Sequence, residues 1–236
     1  MQELKINIKR KIIKSFITIL IIIIFVFLSI TIMNNLNKTY YSANDFNIKT
    51  IYSSTDFNKD KIDDYTAFVL GARKDAENKP TYISKYYENG YPPDNEGVCT
   101  DVIWRAFKFA GYSLKDMVDN DIKNFPEDYP DIINRDANID FRRVANLKIY
   151  FNKYAENLTT NIEEIENWQP GDIVIFKDKH IGIISDCRNK KGQPYVIHNN
   201  GQLNREEDYL ANSEVTGHYR FDASKIPANL LIKWQN

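Results

Sequence analysis

The sequence predicts an α+β domain carried behind a single membrane-anchoring helix. Three observations lead there. A basic cluster runs straight into "SFITILIIIIFVFLSITIM", residues 15–33, with no charge, proline or glycine. Helical periodicities dominate the middle of the chain, and after "WQPGD" it turns to short β-rich segments separated by turns. Helices first and antiparallel strands afterwards describe an α+β domain with its two kinds of layer segregated.

The anchor comes first. Residues 1–14 hold Lys5, Lys9, Arg10, Lys11 and Lys14 against Glu3, a net charge of +4. They read as a basic cytoplasmic tail, with the transmembrane signal anchor over residues 15–34. At 1.5 Å per residue the uncharged run nearly crosses a hydrocarbon core of roughly 30 Å. It is too long and too uniformly apolar for the core of a cleaved signal peptide, and no small-x-small cleavage site follows. The positive flank stays inside, which expects everything after about residue 34 to be extracytoplasmic. The whole chain carries −1, so the remainder carries −5. That excludes a nucleic-acid binder, because neutralising phosphates needs clustered Lys and Arg on the folded part.

Residues 35–60 are polar, without a clear period, and read as a membrane-proximal spacer. Asp56, Asn58 and Asp60 alternate like the start of a calcium loop, but Lys61 stands where such a loop wants glycine and the twelfth position lacks an acid. A helix entrance is the better reading: Asp63 and Asp64 suit an N-terminus, and Tyr65, Phe68 and Val69 form an apolar stripe. Residues 86–97 are loop by composition. A central helix begins at "GVCTD", with Val102, Ile103, Ala106, Phe109 and Ala110 at helical spacing and Gly111 closing it. Residues 112–170 mix short helical pieces and loop, with a helix from about Val144 to Ala155. Strands are expected at 172–176, 180–185, 195–199 and 217–221. The domain proper is bounded at 61–222, and 223–236 is a C-terminal tail.

The chemistry centres on Cys99. A free thiol has a pKa of roughly 8.5, and only its thiolate attacks well. A helix N-terminus lowers that value, and so does a nearby imidazolium. Cys99 stands at the first turn of the central helix, after Gly97, where early N–H groups can also hold an oxyanion. Cys187 is the other cysteine, placed in a hairpin loop beside Arg188, and the two are read as separate thiols. The chain has three histidines, His180, His198 and His218. A hairpin centred near Asn189 would set His180 directly opposite His198 on one face, with Gly182 leaving room beside them. The arrangement expected is Cys99 as nucleophile, His180 as general base and His198 fixing its tautomer; His218 competes for that third role. A zinc site on the same three residues is a rival, ranked below the thiol reading, which requires no metal or cofactor.

At these residues the chain resembles the NlpC-type cell-wall peptidases of the papain-like superfamily: "GVCTD" opening a helix, then "PGDIVIFKDKHIGIISD", then "YVIHN". The resemblance implies a papain-like fold, with a central helix packed on an antiparallel sheet, and puts nucleophile, base and third member on Cys99, His180 and His198. A family tyrosine would fall on Tyr87. A closer resemblance, over roughly residues 62–222, is to an uncharacterised family of exported bacterial proteins within that superfamily. It is carried by "GVCTDV", "NIDxRRVxNL", "PGDIV", "HIG", "IHN" and "TGHYR". Where relatives often carry His in the second phrase, this chain has Phe141. Arg142 and Arg143 are candidate contacts for an acidic substrate, with an ion pair to Asp140 as the alternative. Asp101 either orients substrate or caps the helix. The function expected is a membrane-anchored extracytoplasmic thiol hydrolase cleaving amide bonds in peptidoglycan peptides. Its alternatives are a silent wall-binding module of the same fold, or a related amidase or acyltransferase. Peptidoglycan and the membrane are the expected partners, and oligomeric state is not legible.

Overall fold

The computed structural model describes residues 13–29 and 40–235, which fall in two compact units divided after Thr39. Of the first unit, residues 13–29 form helix α1, in which the Thr18 and Ser29 hydroxyls donate to the Lys14 and Phe25 carbonyls. The 17 described residues of this helix span about 26 Å. Among the described residues no helix is long and apolar enough to cross a membrane. The anchor expected over residues 15–34 begins in this helix and runs past the described residues. Residues 30–34 and the basic tail up to residue 12 lie outside the described residues.

The second unit, Tyr40–Asn236, begins earlier than expected. Residues 40–60 are part of it, not a spacer: Ala43 and Ile48 are buried, and Tyr41 and Arg188 exchange two backbone hydrogen bonds of 2.7 Å. Asp56, Asn58 and Asp60 accept from N–H groups of their own turn, those of Asp60, Lys61 and Ile62. The unit holds helices α2 (Asp64–Asn78), α3 (Cys99–Phe109), α4 (Leu114–Asn124) and α5 (Val144–Tyr154). Strands β1 (Thr81–Tyr82) and β2 (Glu96–Gly97) pair in parallel. The main sheet is antiparallel and contains β3 (Glu156–Asn157), β4 (Ile173–Phe176), β5 (His180–Arg188), β6 (Pro194–Ile197), β7 (Glu206–Glu207) and β8 (Val215–Arg220). Its strand order is β3-β8-β4-β5-β6-β7. The mixed α+β class is thus what the strand and helix patterning expected.

Alternation along the strands separates two apolar clusters. Ile173, Ile175, Ile181, Ile183, Ile197 and Tyr219 join the helices in the main core, while Val174, Phe176, Ile184 and Val196 meet Trp168 and Leu210 on the other face. Val102, Ile103 and Phe107 hold α3 against the first face, each at 1% exposure or less; burial of this kind contributes about 1.5–3 kcal/mol per side chain. Gly71 lets α2 lie close against α3, since a Cβ there would meet Phe109 Cβ at 2.6 Å. The C-terminal residues also belong to the domain. Trp234 donates its backbone N–H to the Gly111 carbonyl and stacks on Trp104.

Candidate functional site

Cys99 is the first residue of α3, and the residue before it decides what its surroundings offer. Val98 is the N-cap and has no side-chain acceptor for the first-turn N–H groups. Those of Cys99 and Thr100 turn instead to the Cys99 sulfur. A third donor comes from the sheet. The β5–β6 ladder begins at Ile183↔Ile197, and β6 diverges before it reaches Ile181. The Ile181 N–H therefore lacks a strand partner on that side, and it acts to lower the pKa of the Cys99 thiol. Asn199 closes the junction, its Nδ2 donating to the Gly97 carbonyl at 3.2 Å. The sequence thus places the thiol against the residue that follows His180.

His180 opens β5 after a tight turn in which Lys177 and Asp178 take left-handed φ of 48° and 57°. His180 and His198 share a face but are diagonal, not directly opposed as expected. The register pairs Ile184 with Val196, which puts Gly182 opposite His198. The misreading is by two residues, and parity keeps the face. The diagonal is bridged by the rings: His180 Nε2 lies 2.8 Å from His198 Nδ1. Gly182 makes this possible, because a Cβ there would meet His198 Cβ at 3.2 Å and Val196 Cγ1 at 2.6 Å. Gly182→Ala is expected to destabilise the domain by about 1–3 kcal/mol, the cost of overpacking a dense site. A urea titration checks this; an unchanged midpoint would show that the strands can part there without cost.

Burial sets the charge state. It holds His180 down at about 4 and His198 at about 3, with His180 and Arg205 adding to the effect on His198. Burial also pushes the Cys99 thiol up to about 11, against the three backbone N–H groups. Near pH 7 the Cys99 thiol and both imidazoles are therefore neutral.

Other expected site residues are placed differently. Asp101 is buried and fully engaged: it accepts from the Val98 N–H (2.7 Å), Trp104 Nε1 (2.7 Å), Arg142 Nε (2.8 Å) and Arg142 Nη2 (2.9 Å). Asp101 and Arg142 thus form one buried ion pair at the start of α3. Arg143 is exposed and lies 3.7 Å from Asp140, its expected alternative. Phe141 is in the core. Tyr87 donates to Glu96 Oε2 at 2.8 Å and lies under the Arg142 guanidinium, so its hydroxyl is already committed. The tyrosine beside the thiol is Tyr82, which β1–β2 pairing sets across from Gly97. Burial raises its phenol, as do the neighbouring Cys99 and Asp101, while the ring stays 42% exposed. His218 is removed from the competition: its nitrogens contact the Thr159 carbonyl (2.7 Å) and Asp172 Oδ2 (3.0 Å), and its ring stacks on Trp168.

Both cysteines are free. Cys187 lies within β5, not in the hairpin loop, because the strand runs on to Arg188. Among the described residues, the cluster with ligand atoms within 4.8 Å of one another is Asp186, Cys187 and Glu206. Arg73 already pairs with both of its carboxylates.

Sequence reading missed Gln202, Arg205, Glu207 and Tyr209 around His198. Glu207 Oε1 is 3.2 Å from His198 Nε2, Gln202 Nε2 is 3.2 Å from the same nitrogen, and the Tyr209 ring centroid is 4.3 Å from that of His198. Alternation along "REED" sends Arg205 and Glu207 to one face and Glu206 to the other, but β7 has only two residues and gives no readable period.

Residues 69–221 match the family model described as "Domain of unknown function (DUF1287)". The chain is 39% identical over 150 residues to the uncharacterized protein YijF of Escherichia coli (strain K12), an alignment covering 60% of this chain and 72% of that protein. No solved structure matches it.

Proposed function

We propose that this chain, which belongs to the DUF1287 family, is a thiol hydrolase of amide bonds in peptidoglycan peptides, with an NlpC-type papain-like fold. One observation carries the reading: Cys99 is the first residue of a helix that packs on the strand opened by His180, and His180 Nε2 is held by His198. The likeness of the "GVCTD", "HIG" and "IHN" phrases to NlpC-type peptidases supports it. The same proposal places the domain outside the cytoplasm, attached through the N-terminal apolar segment.

With Nε2 of His180 committed to His198, Nδ1 is the nitrogen for proton transfer. As the sulfur attacks the amide carbon, its proton passes to His180 Nδ1 and the first-turn N–H groups stabilise the oxyanion. The C–N bond then breaks, the imidazolium gives its proton to the departing amine, and a thioester remains. Water attacks the thioester and gives a proton to His180, the C–S bond breaks, and the thiol is restored as the acid leaves.

The test is to incubate the full chain with muropeptides and follow new amine termini by mass spectrometry. Because the free site is neutral between the low histidine and the high thiol values, kcat/KM is expected to stay flat from about pH 5 to about pH 9. Absence of amine release would overturn the reading, and an acid limb near pH 6.5 would overturn the neutral resting pair. A wall-binding module that has lost turnover is the second reading, favoured by the 5% exposure of Cys99. Its expected result is muropeptide binding without cleavage.

A further inference from the structure

Helices α2 and α3 touch where Gly71 meets Ala106 and Phe109. Beside that contact lies a cavity of about 500 Å³, lined by residues of both helices and by Asp94 from the loop before β2. Its size is within the roughly 300–1,000 Å³ typical of small-molecule sites. Gly71 and Phe109 supply the apolar part of the lining, and Lys74, Lys108 and Asp94 a charged part.

The polar groups around this cavity differ in whether the fold already uses them. Arg105 pairs with Asp75 and donates from Nη2 to the Pro93 (3.1 Å) and Glu96 (2.9 Å) carbonyls. That pair is a fixed wall with its charges balanced, although Arg105 keeps a buried Nε without a partner among the described residues. Lys74 and Lys108 are exposed and make no ion pair among the described residues. Lys108 lies over the Trp234 ring, 4.6 Å from its centroid. The Asp94 carboxylate also lacks a partner there, while its backbone carbonyl takes Asn78 Nδ2 at 2.5 Å and leaves Asn78 Oδ1 open to accept. The unused groups are thus two cations, one carboxylate and one amide oxygen. Beyond residue 14 the chain carries −5, so two unpaired lysines lining one cavity are a local feature and not a sample of a basic surface.

The geometry points to the cavity between α2 and α3 as a binding site for an acidic saccharide, a sugar ring bearing a carboxylate or a phosphate. Lys74 and Lys108 take the acid group, as charge-assisted donors from opposite walls. Sugar hydroxyls both donate and accept, which suits the Asp94 carboxylate and Asn78 Oδ1 as acceptors and the ammonium groups as donors. The apolar face of the ring packs on the Phe109 side of the lining. An acidic peptide fits less well. Its main-chain N–H and C=O groups need partners, and the helices that wall the cavity use their own backbone groups internally. The site involves neither Cys99 nor the histidines, so it goes beyond the proposed hydrolysis and does not depend on it.

The experiment titrates the full chain in detergent micelles with glucuronic acid, glucose-6-phosphate, glucose and diglutamate, following backbone amide shifts by NMR. Both acidic sugars are expected to bind more tightly than glucose and diglutamate, to shift amides of α2 and α3 around Gly71 and Lys108, and to weaken as salt rises. The tighter of the two identifies the source, a carboxylated or a phosphorylated glycan. Lys74→Gln and Lys108→Gln are each expected to weaken acid binding about fivefold, and the double variant to bring both acids down to the level of glucose. Lys123→Gln, exposed on α4, is the control and is expected to change nothing. No binding of either acid, equal affinity for glucose, tighter binding of diglutamate, or acid binding that survives in a folded double variant overturns the inference. Cys99→Ala is expected to bind as the wild type does, so loss of amine release and loss of saccharide binding are separate results.

Discussion

Cys99→Ala is expected to end amine release from muropeptides while leaving the domain folded. Alanine is the residue best tolerated in a helix, and the substitution removes one sulfur from a site whose N–H groups can turn to water or substrate. The chemistry has no substitute nucleophile. Cys187 lies in the far half of β5, where burial, with Glu206 and Asp186 close by, raises its thiol to about 11. Removing a nucleophile that works in concert with its base commonly costs about 10⁴-fold or more. Mass spectrometry of digested muropeptides is the readout, with Cys187→Ser as a control expected to keep full activity. Turnover retained by Cys99→Ala would remove the nucleophile assignment.

The second large effect is on stability. Asp101→Ala is expected to cost about 3–5 kcal/mol, because breaking one partner of a buried ion pair leaves the other charge uncompensated. Arg142 would lose both carboxylate contacts, and the Val98 N–H and Trp104 Nε1 would lose their acceptor. The start of α3, where the thiol sits, would loosen with them. Arg143→Ala, at an exposed position, is expected to change stability by no more than about 0.5 kcal/mol. Chemical denaturation of the three proteins measures both. Equal midpoints for the two variants would show that the Asp101–Arg142 pair does not hold the helix start.

How much could be read from the chain depends on how far apart the causes lie. The helix at Cys99 was legible because its apolar spacing and closing glycine are local, and α2 because Asp63 caps it within one turn. The histidine face was legible because parity survives a slip of two residues. The register was not: an irregularity between Ile184 and Arg188 shifts the pairing partway along the hairpin, and no residue pattern announces it. The Asp101–Arg142 pair joins residues 41 positions apart, so a helix-cap reading of Asp101 found half of its role. Glu207 sits on a strand of two residues, too short to show a period, and Tyr82 reaches the thiol through an equally short parallel pair.

The bridge between Tyr41 and Arg188 ties the start of this unit to one end of β5. It moors the first described residues of this unit to the last residue of β5, whereas His180 is the first residue of that strand. They stand at the two ends of a nine-residue strand, eight steps of about 3.3 Å, or up to about 26 Å apart. The entry of this unit and its paired histidines are therefore fixed to opposite ends of a single strand.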